Sequence, residues 1–161
     1  MSFIPGIPIR PAVLGLILTI FGTGSALADD TRAQKVPLLP KYQQECSSCH
    51  VAYPPGMLPS ASWKRLMDNL PNHFGTDASL DAESVKQISA WLTAHGGTYK
   101  RVREAPLEDR ITRSAWFIRK HDEVPASTWK RTSIKSAANC MACHTRADQG
   151  DFNEDAVQIP R

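Results

Sequence analysis

The chain has no large surplus of either charge, and it lacks the alternating pattern of β-strands. Its 19 Lys and Arg residues against 16 Asp and Glu residues give a formal net charge of +3. This near balance argues against nucleic-acid binding, because proteins that bind nucleic acid usually carry a strongly basic face. No segment alternates apolar and polar residues over the length of a half-buried strand. We therefore expect a mostly α-helical protein.

A long apolar run is also missing. Residues 11–21 form an apolar segment that is too short to span a bilayer and is interrupted by Pro11 and Gly15. Arg10 precedes this segment, and Ala26-Leu27-Ala28 follows it as an A-x-A cleavage site. The pattern predicts a secretory signal peptide over residues 1–28, cleaved after Ala28. The alternative is an uncleaved membrane anchor.

Cleavage after Ala28 would leave 133 residues with a net charge of +2, because Arg10 is the one charged residue removed. We expect the exported chain to lie in the periplasm, without stable membrane insertion. A chain of this length forms one domain or two small lobes. The composition becomes basic and irregular over residues 98–113. We therefore predict an N-terminal lobe of residues 29–99 and a C-terminal lobe of residues 100–161.

Cysteine is scarce, and two copies of one motif use all four cysteines of the chain. The copies are Cys46-Ser-Ser-Cys49-His50 and Cys140-Met-Ala-Cys143-His144. C-x-x-C-H is the attachment sequence of a c-type haem. Its two thiols can each form a thioether to a haem vinyl group, and its histidine binds the iron. We predict two covalently bound haem c groups, whose attachment outside the cytoplasmic membrane agrees with the export signal.

Four cysteines have two other common uses in proteins. Two C-x-x-C pairs can bind a structural zinc ion, and four cysteines of an exported protein can form two disulfides. Neither alternative explains why a histidine follows both pairs, and a zinc site would join pairs that lie 94 residues apart. Haem attachment is therefore the favoured interpretation.

The spacing of apolar residues and caps predicts several helices. Two of them, over residues 41–50 and 133–144, would present the haem motifs. Residues 60–70 have an apolar face with Trp63, Met67 and Leu70, and a cap at Ser60 or Ser62.

Further helices are predicted later in the chain, and a loop before them. Residues 81–95 have Asp81 as N-cap and Gly96-Gly97 after their end, and residues 114–121 form a short helix. Three prolines and a glycine exclude regular structure over residues 51–59. A backbone carbonyl in that loop can accept the His50 Nδ1–H and orient its ring.

Each C-x-x-C-H histidine leaves one axial position of its iron to be filled by another donor or left open. Six side chains could supply that donor: His73, His95, His121, Met57, Met67 and Met141. Met67 belongs on an apolar helix face, and Met57 and Met141 lie too close to their own motifs. A histidine at a helix C-terminus, such as His95, is favourable without any ligand role.

His73 and His121 are therefore the predicted sixth ligands. His73 lies 23 residues after His50, and His121 lies 23 residues before His144. We assign His50 and His73 to the first haem and His144 and His121 to the second. Crossed pairing is the alternative, because the two haems are expected to lie close together.

The chain resembles the small dihaem cytochrome c family of bacterial periplasms. The matching segments cover nearly the whole mature chain: Glu45-Cys-Ser-Ser-Cys-His-Val-Ala-Tyr-Pro-Pro-Gly-Met-Leu-Pro59, Ser62-Trp63, residues 70–75, Trp116-Phe117-Ile118-Arg-Lys-His121, Asn139-Cys-x-x-Cys-His144 and Gln149-Gly-Asp-Phe-Asn-Glu-Asp155. The resemblance implies two bis-histidine haems in two lobes, the N-terminal one similar to an ordinary small cytochrome c and the C-terminal one irregular. It also implies His73 and His121 as sixth ligands, and a small oxygen-binding monohaem cytochrome as electron acceptor.

These observations predict an electron-transfer protein rather than an enzyme. Two six-coordinate haems would pass electrons between redox partners, with a membrane cytochrome as a candidate donor. Bis-histidine ligation predicts low reduction potentials, because methionine ligation raises them. The alternatives are an electron-entry subunit of a periplasmic reductase and a dihaem peroxidase, which needs an open or labile axial position.

Overall fold

The computed structural model describes Met1 and residues 36–161. The predicted signal peptide and the residues just after it lie outside this described part. Within it, the chain forms four α-helices and eight 3-10 helices, and its β-structure is limited to two isolated bridges. The predicted mostly α-helical fold is confirmed.

The α-helices are α1 (Pro40–Cys46), α2 (Ser60–Asp68), α3 (Ala82–His95) and α4 (Ala115–Lys120). The 3-10 helices are Pro55–Met57, Leu70–Asn72, Leu107–Asp109, Ile111–Arg113, Thr128–Lys130, Cys140–Ala142, Ala147–Gln149 and Glu154–Ala156. Among residues 36–161, no helix is both long and apolar enough to cross a membrane.

Two helix starts have side-chain caps, and the one at Asp81 was predicted. Asp81 accepts hydrogen bonds from the backbone N–H groups of Glu83 and Ser84 at the start of α3, and Ser114 accepts one from Phe117 at the start of α4. Such caps satisfy backbone donors that have no partner within the helix.

The predicted cap of α2 is wrong. Pro59 occupies the N-cap position without a side-chain hydrogen bond. The Ser60 hydroxyl instead donates to the Thr93 carbonyl of α3 at 2.7 Å, and Ser62 is fully buried. Packing against α3 therefore uses the serine that local rules would assign to a cap.

Both haem motifs are less helical than predicted. Helix α1 ends at Cys46, so Ser47 to His50 form turns rather than a continuation of the helix. The predicted helix over residues 133–144 is wrong, since only Cys140–Ala142 forms a single 3-10 turn. Lys135 adopts a left-handed backbone conformation with φ of 67°, which a right-handed helix cannot contain.

The apolar core lies between α1, α2, α3 and the loop after the first motif. Its buried members are Tyr42, Ala52, Leu58, Trp63, Met67, Leu70, Ile88 and Leu92. Full burial of a side chain such as Ile88 contributes about 1.5–3 kcal/mol. The predicted inward face of α2 and the core position of Met67 are confirmed.

The chain after α3 packs back onto this core. The Gly97 N–H donates to the Leu58 carbonyl at 2.7 Å, and a Cβ at Gly97 would lie 2.6 Å from the Gly56 carbonyl. A glycine is needed here for this close approach. Further along, the Arg65 guanidinium of α2 binds both carboxylate oxygens of Asp109 at 2.6 and 2.8 Å. Residues 98–113, where the boundary between the lobes is predicted, thus contact the N-terminal half through Asp109.

Candidate haem sites

The first motif places its histidine by local backbone turns. The His50 N–H donates to the Cys46 carbonyl at 3.4 Å, which folds the five motif residues into one turn. The His50 Nδ1 lies 2.7 Å from the Val51 carbonyl, the kind of contact predicted for this loop. An Nδ1–H donated to that carbonyl leaves Nε2 with its lone pair free to bind a metal.

His73 faces His50 from the turn after α2. The two ring centroids are 6.1 Å apart, and the ring planes differ by 23°. His73 is held by an isolated bridge to Thr76, whose two backbone hydrogen bonds are 2.8 and 3.1 Å long. Phe74 and Gly75 both have positive φ in this turn, 54° and 92°. Partial burial, followed by the nearby His50, lowers the pKa of His73, which favours the neutral form that metals bind.

The second motif is carried by the 3-10 turn Cys140–Ala142, and it brings His144 opposite His121. These ring centroids are 6.2 Å apart, with the planes at 72°. The His121 Nδ1 lies 2.9 Å from the Phe117 carbonyl at the end of α4, so its Nε2 is available to a metal. Burial, followed by the nearby His121, lowers the pKa of His144, whereas Asp151 and Glu154 oppose that shift.

Both histidine pairs fit a metal bound between them. Imidazole nitrogens bind metals such as zinc at about 2 Å, so two rings on opposite sides of one ion have centroids roughly 6 Å apart. The observed separations are 6.1 and 6.2 Å. One ring in each pair, His73 or His144, also has a buried Nδ1 without a hydrogen-bond partner in the protein. The residues therefore fit two axially ligated haem irons.

An aromatic cavity of about 630 Å³ surrounds the second pair. Its lining includes Trp116, Phe117, Trp129 and Phe152, and the Phe117 ring stacks on His121 with centroids 4.0 Å apart. The buried Trp116 Nε1–H has no acceptor in the protein. A large flat ligand with polar edges suits this lining, since cofactor sites of this size are mostly apolar.

The cysteines support haem attachment over the two alternatives. All four are free thiols rather than disulfides, and burial raises the pKa of Cys46 and of Cys140 to about 11. Within residues 36–161, no three His, Cys, Asp or Glu side chains gather as a zinc site requires.

The four remaining candidate donors occupy different surroundings. The His95 Nδ1 contacts the Trp91 carbonyl at 2.8 Å on the exposed end of α3. Met67 is in the core, and Met141 is exposed. Met57 is buried and lines the aromatic cavity of the second pair, a position that its closeness in sequence to the first motif did not predict.

Tyr53 and Trp129 are site residues that the sequence analysis missed. Tyr53 stacks on His50 with centroids 5.0 Å apart, and Trp129 lies 5.8 Å from His121. The place of Tyr53 three residues after a haem histidine is a signal that could have found it. No local pattern marks Trp129.

Comparisons with known proteins agree with this geometry. Residues 42–152 match the model of a family described as dihaem cytochrome c. A solved dihaem cytochrome c from Shewanella baltica OS155 is 39% identical, with a TM-score of 0.67, and the match covers 78% of this chain and 95% of that one.

Two structures of dihaem cytochrome c from Rhodobacter sphaeroides are also similar. One is 43% identical with a TM-score of 0.64, and the match covers 73% of this chain and 98% of that one. The other is 45% identical with a TM-score of 0.63, and covers 73% and 99%. A comparison with curated proteins found no match.

Proposed function

The chain belongs to the dihaem cytochrome c family and is an electron-transfer protein with two covalently bound haem c groups, and we propose that two histidines bind each iron. Cys46 and Cys49 form the thioethers of the first haem, with His50 and His73 as axial ligands. Cys140 and Cys143 form those of the second, with His144 and His121.

The observation that carries this proposal is that each motif histidine lies close to a second histidine, and that the separation of the two rings is nearly the same in both pairs. The centroid distances of 6.1 and 6.2 Å both suit one ion between the rings. The pairs also follow the neighbouring assignment rather than the crossed one. The His95 ring instead contacts Trp91, with the centroids 5.4 Å apart.

Each haem, when bound, accepts and releases one electron at its iron. The protein supplies the ligands, excludes water with apolar side chains and orients the imidazoles through hydrogen bonds to Val51 and Phe117. With histidine rather than methionine at both axial positions, the potentials are low. Filled axial positions leave no site for a substrate, in keeping with an electron carrier rather than a peroxidase.

We further propose that the carrier works in the periplasm after removal of residues 1–28. It accepts electrons from a membrane cytochrome and donates them to a small monohaem cytochrome. Residues 29–99 and 100–161 form its two haem lobes, each with one attachment motif and one opposed histidine. Docking between such redox partners is typically weak and small in area.

Replacement of the opposed histidines tests the ligation. We expect His73→Ala to convert the first haem, and His121→Ala the second, from low spin to high spin, because each variant opens one axial position. Absorption and magnetic circular dichroism spectra of the holoprotein measure the spin state. Carbon monoxide should then bind the reduced variant at one haem, while the wild type binds little.

His95→Ala is the matched control, since its ring lies on the exposed end of α3. It should keep both haems low spin and unreactive to carbon monoxide. Low-spin spectra in both the His73 and His121 variants would contradict the assignment.

A further inference from the structure

Tyr53 contacts the first haem motif and the segment just before the second, although the two motifs lie about ninety residues apart in the chain. Its ring stacks on His50, with the centroids 5.0 Å apart and the planes at 21°. This orientation is nearly parallel, so the phenol covers one face of the imidazole. The plane of the first motif's histidine is therefore set by the Tyr53 ring as well as by the Val51 carbonyl.

The other end of the same side chain reaches the second motif. The Tyr53 hydroxyl donates to the Ala138 carbonyl at 2.9 Å, two residues before Cys140. Burial, followed by the nearby Cys140, raises the pKa of Tyr53. The sulfur of Cys140 is the atom that forms a thioether in the haem-loaded protein.

The backbone around Tyr53 is restrained on both sides. The buried Tyr42 hydroxyl donates to the Tyr53 carbonyl at 3.0 Å. Pro54 and Pro55 follow and restrict the backbone dihedrals. The backbone that carries the phenol is thus restrained within the N-terminal half of the chain.

Residues from the two motifs also line one shared cleft of about 540 Å³. Its walls include Cys49 and His50 from the first motif and Cys140 and Met141 from the second. Tyr53 contacts His50 and Ala138, two of the residues that line this cleft.

We propose that Tyr53 is a positioning residue that couples the two haem sites, its ring setting the plane of His50 and its hydroxyl holding the segment that carries Cys140. The inference rests on the ligand assignment proposed above. Removing the hydroxyl should change the second site alone, whereas removing the ring should change both. Polarity and hydrogen bonds near a haem set its potential, so the two effects are measurable separately.

The test is a redox titration of the holoprotein carrying Tyr53→Phe or Tyr53→Leu, combined with low-temperature EPR. The titration measures, for each haem, the one-electron reduction of its oxidised iron by the added reductant, and Tyr53 is neither oxidised nor reduced. For Tyr53→Phe we expect a shift of the second potential only. Loss of one hydrogen bond changes the equilibrium constant for reduction of the second haem at most about tenfold. A tenfold change is equivalent to about 59 mV for one electron.

Tyr53→Leu should shift the second potential in the same way and also alter the EPR signal of the first haem. Ser60→Ala is the matched control, because it removes a hydroxyl that also donates to a backbone carbonyl, that of Thr93, without contacting Tyr53. It should lower stability without moving the second potential.

The proposal is overturned if Tyr53→Phe leaves the second potential unchanged, or if Ser60→Ala moves it equally. High-spin haem in the wild-type protein would instead refute the ligand assignment. If the wild-type haems are low spin and Tyr53→Phe does not shift the second potential, the role of Tyr53 is refuted while the ligand assignment stands.

Discussion

At the scale of single residues, the two histidine pairs share a separation but differ in orientation. The planes of His50 and His73 differ by 23°, whereas those of His121 and His144 differ by 72°. In each pair one ring is oriented by a backbone carbonyl, from Val51 or Phe117. The opposed ring takes its angle from the tertiary packing around it, which differs between the sites.

This difference predicts two distinct EPR signals from the oxidised protein. The dxz and dyz orbitals of the iron overlap with the π systems of the two imidazoles. Nearly parallel imidazole planes make the energies of these two orbitals different, whereas crossed planes leave the energies close. The first haem should therefore give a rhombic low-spin signal, and the second a strongly anisotropic one with a large maximal g value. Low-temperature EPR of the holoprotein measures both.

The His73→Ala variant assigns the signals, since it should remove the rhombic one and leave the other. Two identical rhombic signals would show that the second pair is not crossed in the haem-loaded protein.

At the scale of elements, α4 begins at the Ser114 cap and ends directly before His121. Ser114 is buried, accepts a hydrogen bond from the Phe117 N–H at 3.2 Å and donates one to the Ile111 carbonyl at 2.7 Å. A helix of six residues is unstable by itself, because forming its first turn is costly. Tertiary contacts and this cap therefore maintain the helix.

Ser114→Ala should lower stability by about 1 kcal/mol, the usual cost of losing an N-cap. Because His121 follows α4 directly, the second haem should also bind carbon monoxide more readily after reduction. Thermal unfolding and carbon monoxide titration of the holoprotein measure the two effects.

Asp81→Ala is the control for this prediction, since it removes the cap of α3, a helix that carries none of the proposed ligands. It should lower stability but leave carbon monoxide binding unchanged. Equal carbon monoxide binding in both variants would show that the effect of Ser114 is not specific to α4.

The elements also show which local rules were sufficient. Asp81 acts as the predicted cap, because a side chain can cap a helix using only its own neighbours. Ser60 does not, since α2 already begins at Ser60 and Pro59 occupies the N-cap position. The second motif was expected on a helix, but Lys135 has a left-handed conformation and the Asn139 side chain bonds to the Ile134 carbonyl. These contacts replace helical hydrogen bonds there.

At the scale of the whole molecule, apolar packing is uneven. The buried core cluster draws its members from residues 42–92, with Ile111 packed against its edge. In the second half, the described residues surround a cavity of about 630 Å³ instead. The C-terminal half should therefore depend on its haem for stability more than the N-terminal half does.

Replacing Cys140 and Cys143 together by serine tests this dependence by preventing attachment of the second haem. We expect amides of α4 and of residues 121–157 to lose protection from hydrogen exchange, while those of α3 keep theirs. Hydrogen exchange with mass spectrometry measures the protection of each segment.

The reciprocal variant, with Cys46 and Cys49 replaced by serine, is the comparison. Its α3 should retain partial protection, because the core of Ile88, Leu92 and Trp63 remains apolar and buried. Uniform loss of protection in both variants would mean that the two halves unfold as one unit.

The sequence by itself determined the attachment chemistry, because C-x-x-C-H places two thiols and an imidazole within a single turn. It also determined the helical class and the cap at Asp81, which depends on neighbouring residues. Only the tertiary structure decided which histidines face each other, at what angles, and that Tyr53 reaches from His50 to the segment before Cys140. Those relations arise where the backbone brings distant segments together, and no local spacing encodes the distance or the angle between them.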